Sequence, residues 1–409
     1  MKRLLRTQIL FLVRLLGAPG ALLAQSRRQY APHDTPRILL VRPDHLGDLV
    51  MTTPILHALK VQIPQAHITM MVGPWSREVV ARHPAIDDLI TCRFPGFQRA
   101  AQHPLAPYLL LLKTARQLRQ GHYDLAINLR PDFWWGAALL YLAGIPQRIG
   151  YAITPGTSFL THALPFPPHE HAAVSNLRLA SAALQAMNHA GLAEPWTPER
   201  YPLAFTPTPQ ERAWVSQQLA QAGIAAHTPL AVIHPGSGAA VKLWRAQAWG
   251  HIANWLTTTQ VSNAPVRIVL TGTASERPLL SAVAQEIRGE PVIFDQMTVG
   301  QLAALLGRAQ IVLGVDNGPL HLAVAQNTPT LQIFGPTDAR IFGPWGPSGR
   351  HVVITATRRC PDCPAIPCGR LDLSVQELPA HPCVSLITEQ EVEVAISKLL
   401  NRESETARQ

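Results

Sequence analysis

Short apolar runs alternate with helical periodicity along most of the chain. From residue 36, the run 37–42 (RILLVR) reads as a buried strand and 48–61 as the helix that follows it. The runs 67–72 (HITMMV), 88–92 (DLITC) and 124–129 (DLAINL) predict further strands, with a helix at 109–120. A polar, Pro-rich passage, 194–210 (EPWTPERYPLAFTPTPQ), interrupts the pattern, which then restarts. Strands are predicted at 230–234, 267–271, 291–295, 311–315 and 330–334, and helices at 244–258, 275–288, 299–308, 318–325 and 389–400. Brief apolar runs spaced by amphipathic helices indicate parallel sheets covered on both faces.

At 409 residues the chain exceeds one ordinary core. The pattern predicts an α/β protein of two doubly wound domains, with ligands at the carboxyl ends of the strands in a cleft between them. The expected boundaries are an N-terminal extension at 1–35, a first domain at 36–200 and a linker region at 201–228. A second domain follows at 229–388, then a C-terminal helix and tail at 389–409. Apolar residues at 47% and charged residues at 15% argue against disorder. The formal charge of +9 points to an anionic partner, but 6% aromatic residues and no helix-turn-helix or RNA-binding signature set nucleic acid aside.

The first 24 residues (MKRLLRTQILFLVRLLGAPGALLA) contain no uninterrupted span of about 20 apolar residues. Lys2, Arg3, Arg6 and Arg14 break the run, which suits a basic amphipathic helix on an anionic membrane face. A helix docked on the protein's own surface is the alternative. A signal segment ending in ALLA is disfavoured by Arg14.

Candidate chemistry sits in the loops after strands. Gly47 and Asp48 open the first helix, and two readings of Asp48 stand at this level: a helix cap, or a base facing a substrate hydroxyl. Arg42 and His45 beside it are either holders of anionic groups on an acceptor or ordinary polar loop residues. The stretch 232–244 (VIHPGSGAAVKLW) places Gly236, Ser237 and Gly238 before Lys242, which reads either as a phosphate-binding loop or as an ordinary strand-to-helix turn. In 270–278 (LTGTASERP), Glu276 is either a helix-terminus carboxylate or a ribose acceptor. In 312–338, Asp316, Asn317, Gly318 and His321 lie at a strand-to-helix junction, where Asp316 is either a cap or projects with Asn317 and His321 into the cleft mouth.

Together, "LVRPDHLGDLVMTTPIL", "HPGSGAAVKLW", "TGTASERP" and "VDNGPLHLAVA…TPTLQIFGPTD" resemble the family-9 glycosyltransferases, the lipopolysaccharide heptosyltransferases. They occur in order across roughly residues 37–390. The resemblance implies a GT-B architecture: two Rossmann-like domains facing a central cleft, acceptor held mainly by the first and nucleotide-sugar by the second. It implies an inverting transfer of heptose from ADP-heptose to a lipid A-linked core or related glycan acceptor. The family's base falls on Asp48, its phosphate contacts around Ser237 and Lys242, and its ribose acid on Glu276. Further donor contacts fall on Gly236, Gly238, Asp316, Asn317, Gly318 and His321; Arg42, His45 and Gly47 fall on the acceptor side. The helix N-terminus is expected to keep Asp48 ionised.

No cofactor is expected, since no DxD-type acidic pair is evident. The spacing of Cys360, Cys363, Cys368 and Cys383, C-x2-C-x4-C-x14-C, belongs to the class that binds structural zinc, while packed, reduced thiols are the simpler reading. His169 and His171 flank Glu170 but do not share a helix face, so this segment reads as acceptor-side or domain-interface structure. The expected location is cytoplasmic, peripheral on the inner face of the cytoplasmic membrane. Transfer from another nucleotide-sugar, a non-catalytic nucleotide-sugar-binding protein, and a GT-B epimerase are the competing readings.

Overall fold

The computed structural model describes residues 8–15, 17–20, 35–97, 103–258, 260–261 and 264–406. The chain divides into two compact units, Met1–Trp196 and Thr197–Gln409.

In the first unit, β1 (Arg37–Arg42), β2 (His67–Val72), β3 (Asp88–Thr91), β4 (Leu125–Asn128), β5 (Gln147–Tyr151) and β6 (His162–Leu164) form one sheet in the order β3-β2-β1-β4-β5-β6. Every pairing is parallel, with Arg37 beside His67 and Arg42 beside Val72. A parallel sheet needs cover on both faces, and β1 accordingly buries Ile38, Leu39, Leu40 and Val41 completely.

The helix expected at 48–61 is two helices, α1 (Leu46–Val50) and α2 (Thr53–Gln62). Pro54 is the reason: it has no N–H for the Val50 carbonyl. The Thr53 hydroxyl donates to Val50 O instead (2.7 Å), and Asn176 Nδ2 donates to Met51 O (3.0 Å). Next come α3 (Ala106–Arg119), α4 (Trp134–Leu142) and α5 (Ala172–Ala186), the helix that carries Asn176. The His169–His171 segment starts α5: His171 Nδ1 accepts from Ala173 N (3.1 Å), and Glu170 pairs with Arg178.

Residues 8–15 and 17–20 are helical. Leu10 and Val13 are buried in the same core as Leu111, Trp135 and Leu142, while Phe11, Leu12 and Leu15 remain more than half exposed. Tyr141 Oη donates to Arg14 O (2.8 Å). One face of this segment therefore docks on its own domain, as the alternative reading expected, and the opposite face is apolar and open. Lys2, Arg3 and Arg6 lie outside the described residues.

The second unit repeats the plan. Its strands are β7 (Leu230–His234), the short antiparallel pair β8 (Gln260–Val261) and β9 (Ala264–Pro265), then β10 (Arg267–Thr271), β11 (Val292–Phe294), β12 (Ile311–Val315), β13 (Thr330–Phe334) and β14 (His351–Thr355). The main sheet runs β11-β10-β7-β12-β13-β14, again parallel throughout. Residues 201–228, expected as linker, contain α6 (Pro209–Gln221), started by a Thr208–Glu211 capping box and packed on α9 (Val299–Arg308). Between them come α7 (Ala246–Thr258) and α8 (Arg277–Gln285), and α10 (Gly318–Ala325) and α11 (Glu389–Thr406) follow. The rings of Trp244 and the fully buried Trp249 meet edge to face, centroids 4.9 Å apart, in the core.

Both sheets reverse direction of winding between their first and fourth strands. Loops at such a reversal splay apart beyond the strand ends and leave room for a ligand. That junction is β1/β4 in the first unit and β7/β12 in the second.

Candidate functional site

At the β1/β4 junction the chain assembles a charged cluster. Asp44, directly after β1, is 2% exposed and lies between two guanidiniums. Arg42 Nε is 2.6 Å from Asp44 Oδ2, and Arg130, directly after β4, pairs with Asp44 Oδ1. Arg42 Nη2 reaches Asp48 Oδ1 (3.2 Å), and its Nη1 donates to Leu129 O (3.0 Å) and Asn176 Oδ1 (3.2 Å). Arg42 is 6% exposed and its donors all point inward, so it positions carboxylates rather than meeting a ligand anion, as the sequence suggested it would.

Asp48 sits in the first turn of α1, and His45 is that helix's N-cap without a side-chain cap bond. Among the described hydrogen bonds the Asp48 carboxylate accepts from Arg42 and caps no backbone amide. A third of its side chain (33%) meets solvent. Loss of surrounding water and then the nearby Asp44 charge push its carboxyl above the ordinary range, against the pull of Arg42 and Arg130. The helix terminus was expected to favour ionisation; desolvation and the neighbouring carboxylate prevail. Gly47 contributes its carbonyl to Met51 N (3.0 Å) within the same turn.

An aromatic group forms around His45, in the same loop. Trp75 and Phe97 stack with centroids 6.2 Å apart, His45 lies 5.8 Å from Trp75, and the Arg130 guanidinium is 5.1 Å from the centre of the Phe97 ring. Trp75 Nε1 donates to Asp44 O (3.0 Å), which fixes the loop. Sequence reasoning missed Asp44, Trp75, Arg130 and Asn176. Asp44 and Arg130 carried a signal, since each follows a strand at the winding reversal.

At the β7/β12 junction a second cluster forms. Lys242 Nζ is 2.7 Å from Asp316 Oδ2, and Thr337 Oγ1 donates to the same oxygen (2.6 Å). Asp316 is 6% exposed and lies beneath Lys242 instead of projecting outward as expected. His321 is buried too. Asn317 caps α10 through Oδ1, which accepts from Leu320 N (3.1 Å), while its Nδ2 donates to Gly236 O (2.8 Å). It therefore ties the loops after β7 and β12 together, and Gly318 begins the helix behind it.

Glu276 is the helix-terminus carboxylate of the first reading. Its Oε2 accepts from Thr273 N and Thr273 Oγ1 (both 2.8 Å), and its Oε1 faces Gly236, where a Cβ would come within 2.1 Å. A side chain at Gly236 would displace the Glu276 carboxylate. Gly238 borders open space, and Ser237 Oγ lies 3.5 Å from Ala239 N. His234, 5% exposed, meets Thr271 Oγ1 through Nδ1 (3.0 Å), and burial holds its imidazole down at about 4, hence neutral.

The late cysteines are all unbridged, and Cys360, Cys363 and His381 offer ligand atoms within 4.8 Å of one another. His381 escaped sequence reasoning because it lies 18 residues beyond Cys363, outside any cysteine spacing. Among the described residues, no helix is long and apolar enough to cross a membrane.

Residues 111–368 match the family model for glycosyltransferase family 9 (heptosyltransferase). The chain is 26% identical to lipopolysaccharide heptosyltransferase 3 of Escherichia coli over 308 residues, 73% of this chain and 83% of that one. It is 22% identical to lipopolysaccharide heptosyltransferase 2 of Salmonella typhimurium, covering 77% and 87%. Among solved structures, the family-9 glycosyl transferase of Veillonella parvula superposes with a TM-score of 0.72 at 21% identity, over 91% of this chain and 99% of that one. E. coli heptosyltransferase WaaC with ADP gives 0.64 at 19% identity, over 89% and 99%. With more than half its length matched and two parallel α/β units in place, the chain belongs to glycosyltransferase family 9, the heptosyltransferase family, and is a glycosyltransferase of GT-B fold.

Proposed function

We propose that the chain transfers a heptose from ADP-heptose to a lipopolysaccharide core or related lipid-linked glycan acceptor, with inversion and with Asp48 as general base. The observation that carries this reading is the Asp48 carboxylate itself, one-third exposed, raised above the ordinary range and oriented by Arg42. A base of raised affinity takes a hydroxyl proton more readily than an ordinary carboxylate. The stacked Trp75 and Phe97 with His45 offer apolar faces to a sugar of the acceptor, and Gly47 lies beside the base.

The β7/β12 junction suits the nucleotide. Lys242 has three donors and spends two on Asp316, on Oδ2 (2.7 Å) and on the backbone carbonyl (3.5 Å), so a diphosphate oxygen can take the third without breaking the pair. The Gly236–Gly238 loop supplies backbone groups near it, and Glu276 Oε1 supplies an acceptor for ribose hydroxyls. Leaving-group charge then falls on Lys242 and the loop amides, a role for which a fixed cation is worth several kcal/mol, on the order of 3. The bound ADP of the solved relative supports this side of the reading.

Peripheral attachment to the cytoplasmic face of the inner membrane is supported by the open face of Phe11, Leu12 and Leu15 and by the exposed Leu109, Leu112, Lys113 and Arg116 of α3.

The test is turnover of ADP-heptose with and without a truncated lipopolysaccharide acceptor. Product that depends on acceptor is expected, and Asp48→Asn is expected to lower kcat by about 10²–10⁴ while ADP binding survives. Normal transfer by the variant would remove Asp48 from the mechanism; donor binding without any transfer would remove the proposed substrates.

A further inference from the structure

The break between α1 and α2 leaves backbone carbonyls that no helical amide reaches. Ile55 N turns to Thr52 O (3.2 Å) and so passes over Met51 O. The donor that Met51 O finds comes from another element: Asn176 Nδ2, on α5, donates to it (3.0 Å). The same nitrogen lies 3.4 Å from Thr52 Oγ1, and Thr52 Oγ1 in turn donates to the backbone carbonyl of Asp48 (2.7 Å).

The other end of that amide reaches the Asp48 side chain. Asn176 Oδ1 accepts from Arg42 Nη1 (3.2 Å), and Arg42 Nη2 donates to Asp48 Oδ1 (3.2 Å). The contacts close a ring that runs from Asn176 through Thr52 to the Asp48 backbone, out along its carboxylate to Arg42, and back to Asn176. The amide has one orientation in this ring, because a guanidinium only donates and a carbonyl only accepts. Asn176, Thr52 and Arg42 are 2%, 0% and 6% exposed, so water does not compete for these bonds. Among the described hydrogen bonds, the ring engages Asp48 Oδ1 and leaves Oδ2 open.

The helix that carries Asn176 is itself held at its start. Tyr151 Oη donates to Ser175 O (2.8 Å), Ser175 Oγ donates to Glu170 Oε2 (3.1 Å), and Glu170 pairs with Arg178. β5 and the loop after β6 therefore fix α5, and α5 fixes the amide.

We propose that Asn176 is the positioning residue of the base: through Arg42 and the α1/α2 junction it holds Asp48 so that Oδ2 meets the acceptor hydroxyl. Buried, it acts on the reaction only through those two contacts. In transfer the hydroxyl proton passes to Asp48 Oδ2 and the acceptor oxygen bonds to the anomeric carbon. The sugar–phosphate bond breaks, and its electron pair leaves on ADP. Without the amide, Met51 O is buried without its donor and Arg42 loses one of the contacts that fix its plane. Asp48 is then free to turn, and misplacing a reacting group by about 1 Å costs up to about 10²-fold in rate. This positioning role rests on the proposed role of Asp48 as base.

The experiment is a cycle of variants of the full chain, each assayed for kcat and both KM values with ADP-heptose and a truncated lipopolysaccharide acceptor. Asn176→Ala is expected to lower kcat about 10–100-fold, with both KM values within about twofold of the unaltered chain. In an Asp48→Asn background the same change is expected to lower kcat by less than about twofold, because the group it positions is already gone. An equal fall in both backgrounds overturns the proposal, since a general distortion of the fold would act that way. A kcat within about twofold of the unaltered chain, or a loss confined to KM, also overturns it. Should Asn176→Ala fail to fold, Thr52→Val opens the same ring with little change of shape. It is expected to lower kcat about 3–10-fold in the unaltered chain and less than about twofold beside Asp48→Asn. No fall, or the same fall in both, overturns the proposal by that route. Asp48→Asn alone is read first. Normal transfer there removes the base, whereas its collapse beside an indifferent Asn176 removes the positioning role alone.

Discussion

Asp48, raised first by burial, owes the next part of its character to a residue that the eye passes over. Asp44 is buried between Arg42 and Arg130, yet its charge still raises Asp48. Replacing Asp44 by Asn removes that repulsion and frees both guanidiniums to favour the Asp48 anion. The acid limb of kcat/KM is therefore expected to move to lower pH in Asp44→Asn, read from a full pH–rate profile. An unmoved limb, or one displaced upward, would show that Asp44 does not set the base. Legibility at this scale was uneven. Asp48, Lys242 and Glu276 stand out in the sequence because each follows a recognisable strand. Thr337, Arg130 and Asn176 do not, because their partners lie 21, 86 and 134 residues away.

Among elements, the N-terminal helical stretch divides its apolar residues between two surroundings. Leu10 and Val13 enter the core, while Phe11, Leu12 and Leu15 do not. Changing the latter three to Ser leaves the docked face intact, so folding is expected to persist. Co-sedimentation with vesicles containing anionic phospholipid is expected to fall by about tenfold or more, since each fully exposed apolar side chain withdrawn from lipid costs about 1.5–3 kcal/mol. Equal sedimentation of the triple variant and the unaltered chain would refute membrane attachment through this face. Most strands were readable because a parallel strand buried on both sides is a plain apolar run, as in RILLVR and LAVIH. The region from 130 to 190 was not. α4 (WWGAALLYL) is apolar on every side and shows no helical period, and β5 buries Gln147 and Arg148 within QRIGY.

At the scale of the whole molecule, His234 couples global stability to pH. Its folded value near 4 lies below the unfolded value of about 6.5. The unfolded chain therefore takes up a proton that the folded chain refuses, and the contribution is complete above pH 6.5 and lost as pH falls toward 4. Between pH 7.5 and pH 5 this one residue is expected to remove about 2 kcal/mol of stability. His234→Gln, which retains a partner for Thr271, is expected to lose that much less over the same interval in urea titrations. An identical pH slope in both proteins would place the dependence elsewhere.

The two sheets share one strand order, and each carries its polar cluster at the same junction of that order. The loop after β1 bears carboxylates where the loop after β7 bears glycines and a lysine. One plan thus occurs twice in opposite chemical dialects, each half enclosing its own core. Inheritance can act on such halves separately. A recombination junction near Trp196 and Thr197 would exchange everything built on the second sheet and leave the Asp44–Asp48–Arg130 network untouched.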